Sequence, residues 1–81
     1  MSWHKDIKLN DKTILTLNYH NYSNMDDSGI KSFYIAILNT HNNAKILYVG
    51  REKDIMIQKV KSGIANIKPF EEIENQIKEM L

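Results

Sequence analysis

The stretch "IKSFYIAILNTHNNAKILYVG", residues 30 to 50, decides how this chain folds. Its first ten residues are apolar on both parities, with Phe33, Ile35 and Ile37 on one and Tyr34, Ala36 and Leu38 on the other. Such a run suits a central strand covered on both sides. "THNNA" at 40 to 44 is a turn cluster, and "KILYVG" at 45 to 50 reads as a further strand, with Leu47 and Val49 opposed to Ile46 and Tyr48. Gly50 ends it.

Upstream, Ile7 and Leu9 alternate with Lys8, and Asn10-Asp11-Lys12 is a turn signal. Leu15, Leu17 and Tyr19 then continue on odd positions, so the segment predicts a hairpin. Period-2 alternation places those three on one face and Ile14, Thr16, Asn18 and His20 on the other. Trp3 stands where it covers one end of the core.

Downstream of Gly50 the period changes. Ile57, Val60, Ile64 and Ile67 recur at spacings of three and four, which predicts a helix with one apolar stripe and Asp54 as its cap. "DIMIQKV" at 54 to 60 also alternates and admits a strand, and Gly63 weakens the helix by up to ~1 kcal/mol relative to alanine. Pro69 suits the first turn of a second helix, with Glu71 and Glu72 near its positive end and Lys78 near its negative end. Phe70, Ile73, Ile77 and Met80 form its stripe.

The expected fold is α+β: a four-stranded antiparallel meander sheet followed by two C-terminal helices, in one small globular domain over residues 1–81. With both helices on one face, the expectation is that Leu15, Leu17, Phe33, Ile35, Ile37, Leu47 and Val49 meet them. The other face then shows Tyr34, Leu38, Ile46, Tyr48 and Ile14 beside Thr16, Asn18 and His20. The alternative is one helix on each face.

Composition narrows the chemistry. The chain has 81 residues, enough for one thin core that buries roughly 60% of the unfolded surface. Eleven basic and ten acidic side chains give a net charge of +1, too little to steer nucleic acid. The absence of cysteine removes disulfides, thiolate zinc sites and a cysteine nucleophile. No signal-peptide pattern or bilayer-length apolar run is present, so a cytoplasmic location is expected. Twelve isoleucines, ten lysines and nine asparagines point to an AT-rich coding genome, as in a low-GC bacterium or its phages and plasmids.

Few residues suggest a reaction. His4, His20 and His41 lack metal-motif spacing, and Asp26-Asp27-Ser28-Gly29 lacks the ligand alternation of a calcium loop. Glycines at 29, 50 and 63 form no phosphate cradle, and neither Ser28 nor Ser62 sits in a nucleophile elbow. No enzyme activity and no cofactor or metal are expected. Arg51, the one arginine, follows Gly50 at a strand end, where its planar fork suits phosphate or carboxylate. "YHNYSNMDDSG" at 19 to 29 reads as a polar connection whose tyrosines and amides suit the rim of a protein contact.

The function expected from these features is a non-catalytic protein-binding module, with a homodimer as its expected state. A phage- or mobile-element-encoded inhibitor of a host enzyme or defence complex, acting by surface occlusion, has this size and character. The expected contact residues are Tyr34, Tyr48, Leu38, His20, Tyr22, Asp26, Asp27 and Arg51. Two other readings compete. One is single-stranded nucleic-acid binding through an open sheet face with Tyr34 and Tyr48 as stacking platforms, against which the near-zero charge counts. The other is small-ligand sequestration at a subunit interface around Arg51.

Overall fold

The computed structural model describes the backbone of residues 2–23 and 30–80, and the side chains of 2–21 and 32–79. Four strands, β1 (Ser2–Asn10), β2 (Thr13–Ser23), β3 (Ile30–Thr40) and β4 (Asn43–Gly50), form one antiparallel sheet in chain order. Two helices follow, α1 (Lys53–Gly63) and α2 (Glu74–Met80), the second preceded by a 3-10 turn at Phe70–Glu72. This is the α+β meander that the hydrophobic periods predict.

The two short turns close by side-chain chemistry. Asn10 Oδ1 accepts the Lys12 backbone N–H at 2.8 Å, and Thr40 Oγ1 donates to the Asn43 carbonyl at 3.3 Å. Both bonds let a polar side chain satisfy backbone that the ladder has released.

Residues 54 to 60, open to two readings from their pattern, are helical. Met56, Val60 and Ile64 are fully buried at four-residue intervals, which only a helix delivers to one face. Asp54 is not the cap: Glu52 holds that position without a side-chain bond, and Asp54 lies in the first turn, where the helix dipole favours it. Gly63 stands at the end of α1, where an added Cβ would lie 2.7 Å from Leu47 Cδ2. Its missing side chain lets the helix sit down on β4.

The second helix starts later than expected. Pro69 caps a 3-10 turn, in which the Glu72 N–H reaches the Pro69 carbonyl at 3.1 Å and the Ile73 N–H reaches Phe70 at 3.0 Å. The spacing explains the split. Phe70 to Ile73 is three residues, one 3-10 turn, and Ile73 to Ile77 is four, about one α turn. All three side chains therefore point into the core.

That core is one cluster on one side of the sheet. Ile7, Leu9, Leu15, Leu17, Ala36 and Leu38 meet Met56, Val60, Ile64, Phe70, Ile73 and Ile77. Both helices cover the same face.

The face assignment of β3 is the reverse of the sequence expectation. Leu15 pairs with Leu38, Leu17 with Ala36 and Tyr19 with Tyr34, so odd residues of β2 share a face with even residues of β3. A two-sided apolar strand carries no period to reveal this, because either parity buries hydrocarbon. Ala36, fully buried, is the small residue above which a helix can pack. A bulge then shifts β4. Ala36 pairs with Tyr48 but Ile37 with Ile46, which leaves Leu47 as the extra residue. Leu47 and Tyr48 consequently both pack against the core, while Ile46 and Val49 both turn away from it.

Candidate functional site

The other face of the sheet is covered by no helix among the described residues. Register lays it out in rows across β1, β2, β3 and β4: His4, Asn18, Ile35 and Val49 form one, and Asp6, Thr16, Ile37 and Ile46 the next. Lys8, Ile14, Asn39 and Ala44 form the row beyond. In the first two rows the face is therefore polar on β1 and β2 and apolar on β3 and β4, while in the third Ile14 of β2 and Asn39 of β3 reverse that order.

The polar half is wired as a chain of hydrogen bonds. Asn39 Nδ2 donates to Thr16 Oγ1 at 3.0 Å, and the Thr16 hydroxyl donates to Asp6 Oδ1 at 2.8 Å. His4 Nε2 lies 3.1 Å from the same carboxylate oxygen, and His4 Nδ1 lies 2.8 Å from Asn18 Oδ1. With an oxygen acceptor on each ring nitrogen, the imidazolium satisfies both contacts. The Asn18 hydrogen bond first, and Asp6 second, accordingly hold His4 above its ordinary 6.5. Asp6 is held below 3.8, chiefly by the Thr16 hydroxyl and then by His4.

This arrangement contains a histidine, a carboxylate and a hydroxyl, but not in catalytic order. A nucleophilic hydroxyl must donate to the imidazole, whereas Thr16 donates to the carboxylate and both imidazole nitrogens are engaged elsewhere. No group of three or more metal-ligating side chains occurs among the described residues. No helix among them is long and apolar enough to cross a membrane.

The apolar half is open to solvent. On β4 Ile46 is 64% exposed and Val49 58%, with Ile35, Ile37 and Phe33 half-buried beside them on β3, and Ile14 of β2 is 41% exposed in the third row. Among the described residues, the charged side chains of these rows stand on β1 alone.

The residues singled out from sequence do not converge. Tyr34, Tyr48 and Leu38 lie on the helix-bearing face, the result of the β3 parity and the β4 bulge. Tyr34 continues a row of rings: Trp3 and Tyr19 stack at 5.4 Å, and Tyr19 and Tyr34 are tilted at 5.0 Å. Rings that face one another across strands stabilise the sheet and leave mainly edges to a ligand. Burial pushes the Tyr34 hydroxyl above 10. The Tyr48 hydroxyl accepts the Glu52 backbone N–H at 3.1 Å and so belongs to the entry of α1. His20 does lie on the open face, stacked on Phe33 at 5.0 Å. Arg51 is exposed at the bend between β4 and α1. Asp26 and Asp27, and the side chain of Tyr22, lie outside the described residues.

His4, Asp6, Thr16 and Asn39 are the grouping that sequence reasoning missed. Their types are unremarkable one at a time, and only the register of three strands assembles them. The even-numbered polar row of β1 was the available signal. Compared with known proteins, the chain matches no family model, no curated protein and no solved structure.

Proposed function

We propose that this chain is a non-catalytic protein-binding module that works in the cytoplasm by occupying a protein surface, as an inhibitor encoded by a phage or other mobile element would. The observation that carries the reading is the apolar half of the open face, where Ile46 and Val49 are more than half exposed on a strip without charge among the described residues. Small soluble chains gain nothing from leaving such a strip in water, and strips of this kind meet protein. The misordered His4, Asp6 and Thr16 set supports the non-catalytic part. The AT-rich residue usage supports the mobile-element part by analogy alone.

A photo-crosslinking phenylalanine at Val49, in cells that produce the chain, tests the reading. A discrete protein adduct at Val49, absent when the same group replaces exposed Glu71 on the helical side, is the expected outcome. No protein adduct at Val49 removes the reading.

A further inference from the structure

We infer that the open sheet face is the seat of a second copy of this chain, stacked face to face about a two-fold axis that runs across the strands between the His4–Val49 row and the Asp6–Ile46 row. This rests on the reading of that face as a protein contact and names its occupant.

The molecule is an unfinished sandwich. Its smallest dimension is 17 Å, which is one sheet and one layer of helices. A folded monomer of its mass exposes roughly 5,000 Å², and this chain of 9.5 kDa exposes 5626 Å². The excess is of the same order as one face of the sheet: strands of 9, 11, 11 and 8 residues cover roughly 600 Å² of flat area. With side-chain relief added, that approaches the roughly 800 Å² that each partner buries in a standard interface.

The two rows that flank this axis are complementary to each other. An axis across the strands keeps each strand over its own copy and exchanges the two rows that flank it. Val49 then faces Ile46 of the second copy and Ile35 faces its Ile37, so apolar half meets apolar half. On β1 the same operation sets the His4 ring, positive when protonated, against the Asp6 carboxylate, and Asp6 against His4. An axis along the strands through the middle of the sheet would instead lay β4 on β1, apolar on charged. Joining two sheets through the edge of β4 would merge two uncovered strips into a larger one and cover neither.

Light scattering on the eluting protein reads the result directly. The wild type is expected at twice the 9.5 kDa chain mass and the variant with Ile46→Glu and Val49→Glu at the single mass, a twofold drop. Both side chains are more than half exposed, so the variant keeps its fold, which far-ultraviolet circular dichroism checks; Ile46→Lys alone is the second variant. The chain has no cysteine, so one spin label at Lys8→Cys reports the geometry. Stacking separates the two labels by about 20 Å, whereas joining through β4 separates them by about 34 Å.

A wild-type monomer at its highest soluble concentration, a variant that remains dimeric, or the longer label distance overturns the inference. A monomer whose Val49 crosslinks to another protein removes the second copy and keeps the protein-binding reading. A monomer without any Val49 adduct removes both.

Discussion

On the helix-bearing face Leu17 pairs with Ala36 and both are fully buried, whereas one residue further along the same strands Asn18 pairs with Ile35 on a face no described helix covers. The two faces of β3 are similar in hydrocarbon and differ in what lies above them. Helices seal one because Met56, Val60, Ile64, Phe70, Ile73 and Ile77 supply a second apolar layer at helical spacing. On the other, β1, β2 and Asn39 of β3 contribute a hydrogen-bonded polar ladder, and Ile35, Ile37, Ile46 and Val49 an unfilled apolar strip. Both helices among the described residues close the one core, and the second face is where an outside surface can act.

The largest test of that contrast is truncation on either side of the sheet. Leu17→Ala, which opens a cavity in a fully buried site, is expected to cost about 2–5 kcal/mol in urea unfolding. Ile46→Ala, on the open face, is expected within about 0.5 kcal/mol when measured at a dilution where the chain is monomeric. Equal losses at the two positions would mean that the open face is buried within a single copy, and the comparison would collapse.

Gly50→Ala probes the corner where the covered face ends. An added Cβ would collide with the Tyr48 hydroxyl, which must then leave its bond to the Glu52 N–H. The loss of one hydrogen bond with some repacking predicts a destabilisation of about 1–2 kcal/mol, read from the same unfolding curve. An unchanged midpoint would show that Tyr48 does not brace α1.

The polar half has a pH signature. His4 is raised, so its contribution to stability is full below 6.5 and is lost as pH rises through its folded value. Asp6 is lowered, so its contribution is full above 3.8 and is lost as pH falls through its folded value. The ladder is therefore most effective between those two ordinary values. Proton NMR should find His4 titrating above 6.5, and Asn18→Ala should bring it down, because the Asn18 bond is the larger cause. A His4 that titrates at 6.5 in both proteins would dissolve the ladder.

The smallest effect is expected at the exposed pair of Lys78 and Glu74, 3.2 Å apart on one turn of α2. Lys78→Ala should shift stability by no more than about 0.5 kcal/mol. A larger loss would show that the short helix depends on its surface charges more than on Ile77.

Much of this fold is legible in the residues. Alternation at Ile7, Leu9, Leu15 and Leu17, turn residues at 10 to 12 and 40 to 44, and helical spacing at Val60, Ile64, Ile73 and Ile77 identify the four strands, two helices and their order. The candidate site was much less legible. Parity puts Ile14, Ile46 and His20 on the open face, but it puts Tyr34, Tyr48 and Leu38 there too, and these belong to the other side. Local pattern determines which segments are strands, because backbone period acts over neighbouring residues. It is silent about which side of a doubly apolar strand meets the helices, since either choice buries similar hydrocarbon. Register between β2 and β3, the extra residue in β4 and the small volume of Ala36 made that choice, and each is a relation between distant segments that only the tertiary structure decides.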